Sequence, residues 1–511
     1  MGISSDSSEL NRRTLVVRGM AWNTLYQIFQ TALTFGAMLI LVRVIPAAEY
    51  GRVSVVLGWL TLLNALSCGV FMAQALQLPD GVEPDWSLHW SAGLYIQGAL
   101  SGACHVLAGF FWLVTAYKSI APLLHLAALG LVIDWPSRLS VTMLQRSMAF
   151  QRLYIIQGFS TLMNVGVTVG VGLAGGGAYA IVLGSNVVTA LPFAVDLLLM
   201  RRWRPQPGWW RWPDWVAYRP ALRFGLQQAG SGLLYATRGT LEATVLPGAL
   251  GYTTIGLLNR AQALFSTTVG RVVSILVGTV YPLLPRYAAD PQQYSRQATL
   301  FAQIIFLIVL PGTLYVGLEG MALSRLLYGE KWVAADPLIW PGAMIGLGLA
   351  MFMVGGTVLL AVNRLRTCFA LNLVAAGLSV PMVSVAWAGG GIMSYTWAVA
   401  VGQLLAGGIA LATASRLLTS GWIRLVLVPP MVGSLLAAGT MLAFDSLRVP
   451  WLPVVRLPIS STVYVIVMIL ALRVLFPSPL AAVLSRLPAG PRLQGWLGLL
   501  PPSAQFSGVS M

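Results

Sequence analysis

The sequence predicts an all-α polytopic membrane protein, on three observations. Hydrophobic residues make up 57% of the 511 residues and charged residues only 9%, against roughly 25% charge in an ordinary soluble domain. Mean hydropathy is +0.78 over the whole chain. The apolar stretches are continuous over ~20 residues, the length that crosses a bilayer as a helix with its backbone satisfied internally. Barrel strands would alternate apolar with polar residues, and these stretches do not. No sizeable soluble domain fits beside them.

Taken in order, a cytoplasmic N-terminal segment (1–19) carries Arg12, Arg13 and Arg18. Apolar runs between charged or Gly/Pro punctuation then give fourteen spans: 20–44, 52–76, 90–114, 119–143, 152–173, 178–200, 221–246, 252–278, 297–318, 338–362, 367–388, 392–415, 424–444 and 452–475. The first is too long, and too poor in small-residue cleavage signals, for a signal peptide. Residues 20–200 form an N-terminal six-helix lobe, 201–219 a basic Trp-rich cytoplasmic linker and 220–420 a C-terminal six-helix lobe. Residues 421–475 add a helix pair, and 476–511 form a Pro-rich cytoplasmic tail.

Orientation follows from the basic residues. Of the 31 Lys and Arg, 21 fall on the side of the N-terminus and 7 on the other, leaving Arg238, Arg260 and Arg271 inside spans. Both termini are thereby placed in the cytoplasm, and the expected location is the bacterial inner membrane. The linker R-R-W-R-P-Q-P-G-W-W-R-W-P-D-W (201–215) reads as a membrane-surface segment, with Trp at the interface and Arg drawn to anionic lipid, rather than as a nucleic-acid surface.

The lobes share a repeat. Ala174-Gly175-Gly176-Gly177 closes the fifth-to-sixth hairpin and Ala388-Gly389-Gly390-Gly391 the eleventh-to-twelfth. Pro46 to Gly51 and Pro247 to Tyr252 close the first and seventh hairpins. An even number of spans per lobe makes this a parallel repeat.

Several engines are excluded. Lys118 follows Tyr117 and Lys331 follows Glu330, so neither of the two lysines can belong to a G-K-[ST] phosphate loop. Cys68, Cys104 and Cys368, with His89, His105 and His125, show no metal-ligand or redox spacing, so no metal or cofactor is expected.

The intramembrane charges are the candidate site, because a charge at mid-span costs ~2.5–3.5 kcal/mol on insertion scales. Arg238 and Glu242 stand four apart on one helix face, either as a self-neutralised structural pair or as a lumen pair that an anion or proton can separate. Arg260 and Arg271 are eleven apart, which on a regular α-helix is ~20° past three turns and therefore one face, with Thr267 and Ser274 beside it. Arg271 can instead snorkel to the cytoplasmic surface. Asp134 with Arg138 reads as an internal pair or as a proton carrier. Guanidinium groups bind phosphate oxygens bidentately, so the cavity these residues imply is biased toward anions.

Several stretches then resemble the oligosaccharide flippases of bacterial polysaccharide export, within the multidrug/oligosaccharidyl-lipid/polysaccharide exporter superfamily, over roughly 12–420. Arg43-Val-Ile-Pro46-Ala-Ala-Glu49-Tyr50-Gly51 is similar to that family's R-x-L-G-P-x-E-[FY]-G turn. Glu242 through Gly251 and Tyr252 is similar to its D-x8-G-x-Y pattern, with Glu for Asp, and Asn259-Arg260-Ala261 continues it. Tyr281-Pro282 with Arg286, and Gly329-Glu330-Lys331-Trp332 before Ala335-Asp336-Pro337, resemble further family turns. The resemblance implies fourteen helices in two lobes around a cationic cavity, with alternating access moving an undecaprenyl-diphosphate-linked repeat unit outward. It gives Arg260 a substrate role, while Arg238 and Arg271 are assigned to substrate, and Glu242 and Asp134 to coupling or gating, on chemistry alone. No covalent chemistry is expected. A polysaccharide polymerase and glycosyltransferases are the expected protein partners. The alternatives are a drug or cation exporter of the same superfamily, which would favour an acidic, aromatic lumen, and a membrane-embedded glycan polymerase or ligase, which needs reactive groups on a sizeable external loop.

Overall fold

The computed structural model describes residues 3–79, 81–199, 203–446 and 453–485, with Arg492, Gln494, Gly495 and Gly498, and among these there is no strand. Arg201, Arg202, Arg448 and Arg486, all used in the charge count, lie outside the described residues, as does most of the tail.

The helices lie where the apolar runs are: α1 (Ile3–Val44), α2 (Ala47–Gln77, broken around Leu66), α3 (Trp86–Leu113), α4 (Thr115–Arg146), α5 (Phe150–Leu173), α6 (Gly177–Leu199) and α7 (Trp215–Leu250). After these come α8 (Tyr252–Gly278), α9 (Pro291–Tyr328), α10 (Glu330–Ala361), α11 (Leu365–Trp387), α12 (Gly391–Leu417), α13 (Trp422–Ala443), α14 (Pro453–Leu475) and the short α15 (Pro477–Leu484). Among the described residues, thirteen helices are long and apolar enough to cross a membrane. The chain is a multi-pass membrane protein. The fourteenth expected span, α7, falls short in composition and not in length. Its 36 residues reach ~54 Å at 1.5 Å per residue, but Arg219, Arg223, Arg238 and Glu242 dilute its hydropathy.

Two compact units divide the chain, Met1–Gly256 and Leu257–Met511. In the first, α3 packs on α4, α1 on α5 and α4 on α6, around Val56, Leu60, Phe111, Leu124, Leu131 and Val182. α7 joins this unit by lying on α2, where Thr240 Oγ1 donates to Gly58 O at 2.8 Å. Asp85 and Asp214 cap the starts of α3 and α7 by accepting backbone N–H groups. Two linker tryptophans, Trp203 and Trp209, are partly buried against the α3–α4 core. Trp203 and Trp209 stand 5.2 and 6.0 Å from Trp90, which lies 4.1 Å from Trp135 between ring centroids. Trp210 and Trp212 stay exposed. Aromatic contact with Trp90 holds the first two against the core.

In the second unit, α10 and α12 meet backbone to backbone. A Cβ on Gly348 would stand 2.5 Å from the Gln403 carbonyl carbon, one on Gly355 2.6 Å from that of Ala410, and one on Gly407 2.5 Å from Gly348 O. Lipid supplies no hydrophobic drive between helices, so close approach at small residues holds them. The final pair packs on α9, where Arg456 on α14 grips the buried Glu319 with two hydrogen bonds at 2.9 and 3.1 Å. Leu480 and Ala481 of α15 are buried against Leu472 and Leu307, so the start of the tail is part of this unit's packing.

The two Gly-rich turns are alike in backbone. Gly175 and Gly177 take φ of +86° and +50°, and Gly389 and Gly391 take +82° and +67°, a region that favours glycine. The two Pro-led turns are not alike. Pro46 starts α2, with Gly51 inside its first turns, whereas Pro247 lies in the last turn of α7, which Gly251 ends at φ +76°. They meet within the first unit: a Cβ on Gly51 would stand 2.0 Å from Tyr252 O, and one on Gly256 1.8 Å from Ala47 O. Gly51→Ala should therefore lower stability by about 1–3 kcal/mol, the range for overpacking. Gly36→Ala, with nothing within 4 Å of the new Cβ, should change it little. Thermal unfolding of the purified variants in detergent checks the difference.

Candidate functional site

In the first unit the structure brings Arg238 and Glu242 together on α7. Arg238 Nε donates to Glu242 Oε1 at 3.1 Å, and the side chains are only 11% and 21% exposed. A pair so screened from solvent interacts more strongly than its surface equivalent. Thr244 donates its hydroxyl to Thr240 O one turn back, and Thr240 shares its own between Gly58 O on α2 and Ala236 O, each at 2.8 Å. Tyr117 on α4 donates to Thr244 O at 2.5 Å. The helix bearing the pair is thus tied to both α2 and α4.

Asp134 is held by its own helix. Arg138 Nε donates to Oδ2 at 2.7 Å and Ser137 Oγ to Oδ1 at 2.9 Å. Arg138 is 44% exposed and Asp134 17%. Both carboxylate oxygens are satisfied, which favours the internal-pair reading of this residue.

Glu49, read in sequence as part of a turn motif, has a positional job. Its Oε2 accepts the Ala178 N–H at the start of α6 (3.1 Å), and Oε1 accepts from Arg52 (2.5 Å). A carboxylate at a helix start is favoured by the exposed N–H groups and the macrodipole. Arg52 in turn lies over the Tyr252 ring, 5.9 Å from its centroid.

In the second unit, Arg260 on α8 is half-buried and donates from Nη2 to Asn259 Oδ1 at 2.6 Å. Arg271, also half-buried, lies beyond a π-helical turn at Ser266–Gly270. That turn corrects the shared-face expectation. Its i→i+5 bonds use one extra residue, so the eleven steps advance as about ten α-helical steps, or ~1000°, leaving the two guanidinium-bearing positions ~80° apart rather than ~20°. The expected polar seam is also spent internally, since Thr267 donates to Ala263 O and Ser274 to Gly270 O. The π turn is seated in notches: a Cβ on Gly312 would stand 2.4 Å from Val269, and one on Gly346 2.1 Å from Phe265.

Three further ion pairs among the described residues escaped the sequence reading, one of them Arg325 on α9 with Asp336 on α10 at 3.6 Å. Asp196 on α6, 7% exposed, is paired with Arg152 on α5 and accepts from Ser140 on α4 at 3.3 Å. Glu319 and Arg456 are the third. Each joins different helices, so no i,i+4 spacing announces it.

Known proteins similar to this chain fit the same picture. A family model described as polysaccharide biosynthesis protein matches residues 40–337, more than half of the chain and a stretch that holds Asp134, Arg238, Glu242, Arg260 and Arg271. The succinoglycan biosynthesis transport protein ExoT of Rhizobium meliloti (strain 1021) is 23% identical over 334 residues, which are 65% of this chain and 66% of that protein, just short of two thirds. The lipopolysaccharide biosynthesis protein WzxC of Escherichia coli (strain K12) is 21% identical over 399 residues, covering 78% of this chain and 79% of WzxC. Among solved structures, the lipid II flippase MurJ in an inward closed conformation is similar in fold, with a TM-score of 0.68 at 10% identity, covering 88% of this chain and 99% of MurJ. The chain belongs to the polysaccharide biosynthesis protein family, the membership that its hairpin and Arg260 motifs lead one to expect.

Proposed function

We propose that this protein is a flippase that moves an undecaprenyl-diphosphate-linked oligosaccharide from the cytoplasmic to the outer leaflet of the bacterial inner membrane. The observation that carries this reading is the family match across 40–337, because it encloses every intramembrane Arg singled out by charge. The names of ExoT and WzxC, a transport protein and a biosynthesis protein of surface glycans, support it, as does a fold like that of a lipid II flippase. The cargo's diphosphate needs guanidinium groups in a watery path, while its polyprenyl tail can stay in lipid. No bond in the cargo is made or broken, so the protein is a transporter and not an enzyme. Three intramembrane Arg disfavour a cation exporter.

In this reading Arg260 binds the diphosphate, Arg271 draws it in, and the Arg238–Glu242 pair opens when a proton or the cargo competes for one partner. Asp134 stays with Arg138 as a helix-surface pair. Anionic lipid gathers at the exposed Arg204 and Arg211 of the linker, and glycosyltransferases and a polymerase act before and after the flip. Deleting the gene should abolish surface polysaccharide and leave the lipid-linked repeat unit closed to impermeant reagents at the outer face. Unchanged surface polysaccharide in that strain would contradict the proposal.

Both termini are cytoplasmic in this account, which rests on the 21-to-7 distribution of basic residues. Reporter fusions after Trp212 and after Trp332 should report opposite sides. If both report one side, the number of crossings between them is wrong.

A further inference from the structure

Two imidazoles lie outside everything described so far. His105 on α3 and His125 on α4 face each other with Nδ1 atoms 2.7 Å apart and ring centroids 5.0 Å apart. Both are exposed, among the equally exposed Val106, Phe110 and Leu129. His105 lies five to six residues from the midpoint of Trp86–Leu113, and His125 the same from the midpoint of Thr115–Arg146. At ~1.5 Å per residue both sit ~8 Å from mid-span, inside a hydrocarbon layer of ~15 Å half-thickness. Two polar rings therefore stand at membrane depth on an exposed and otherwise apolar face, where polar side chains ordinarily face protein.

Their chemistry specifies what would cover them. Two lone pairs cannot face each other at 2.7 Å, so one Nδ1 carries a proton. In a neutral pair, the ring that donates from Nδ1 has a bare Nε2, and the ring that accepts at Nδ1 carries its proton on Nε2. The pair thus offers outward one acceptor and one N–H donor, neither of which lipid can satisfy. A two-fold axis beside the pair would bring donor to acceptor and acceptor to donor. A second copy of this chain therefore satisfies both groups at once.

The neighbouring surface permits that approach. Gly98, Gly102 and Gly109 share with His105 the exposed face of α3 at spacings of four, three and four, and a Cβ on any of these glycines would meet nothing within 4 Å. Small residues on such a stripe let two membrane helices come close.

We propose that the chain forms a two-fold dimer through this α3–α4 face, with the two His105–His125 pairs hydrogen-bonded across the axis. The association does not depend on what the chain carries, and its test reads mass action in the bilayer and not transport. Labelled full-length chain, diluted in liposomes and counted by single-molecule photobleaching, should show dimers that dissociate as lipid is added. The double substitution His105→Leu with His125→Leu should raise the dissociation constant about tenfold or more, as the loss of two intramembrane hydrogen bonds implies. Gly102→Leu, which meets open space within its own chain and favours the helix, should do the same without altering circular dichroism or elution. With Cys368→Ser as background, Val106→Cys should cross-link on oxidation and Val380→Cys, at an exposed position on α11, should not. Monomers at every dilution, or dimers that survive either the histidine or the glycine substitution, would overturn the proposal.

Discussion

Arg260→Ala should bring surface polysaccharide down to nearly the level of the deletion strain, with the variant present in the membrane at the wild-type amount. A diphosphate held bidentately by a guanidinium loses two charge-assisted hydrogen bonds at ~1.5–3 kcal/mol each, about a hundredfold or more in affinity. Arg260→Lys keeps the charge and loses the planar fork, so it should fail only partly. The π turn at Ser266–Gly270 directs Arg271 away from the side of the helix that Arg260 occupies, consistent with separate duties. Arg271→Lys should be tolerated, because a long-range attractor needs charge and not geometry. Quantitative blotting of surface glycan against membrane protein level reads all three. Neutral behaviour of Arg260→Ala at equal expression removes Arg260 from the site.

Glu242→Gln is the second large effect. It leaves the shape of α7 intact while removing the charge that holds Arg238 at 3.1 Å. If the pair changes partners during the cycle, the two conformations must differ in their affinity for the carboxylate. A coupling of ~1–3 kcal/mol then corresponds to roughly a 5–150-fold change in the equilibrium between them. Transport should fall by about tenfold or more, with insertion and level preserved. Wild-type transport by the Gln variant would leave Glu242 and Arg238 as a structural pair.

How far the sequence foretold this structure depends on the reach of each interaction. The spans were legible because a run of ~20 apolar residues has one cheap solution in a bilayer. The Arg238–Glu242 and Asp134–Arg138 pairs were legible because i,i+4 spacing on a helix is itself a contact. Arg152–Asp196 and Arg456–Glu319 were not, since they join helices 44 and 137 residues apart in sequence. The π turn in α8 was invisible because Ser266–Gly270 carries no composition that distinguishes it from regular helix. The seats for it, Gly312 and Gly346, lie on other helices. The packing of Trp203 and Trp209 was invisible for the same reason: their partners Trp90 and Trp135 lie on other helices.

The most direct test of the central claim is flipping by the purified protein. Liposomes carrying an undecaprenyl-diphosphate-linked oligosaccharide are reconstituted with the full chain, and the glycan exposed to an impermeant glycosidase is followed with time. The account predicts that wild-type protein brings the inner-leaflet pool within reach of the enzyme, and that Arg260→Ala proteoliposomes behave like protein-free ones. A wild-type time course indistinguishable from protein-free liposomes, with the protein shown to be folded and inserted, would contradict it.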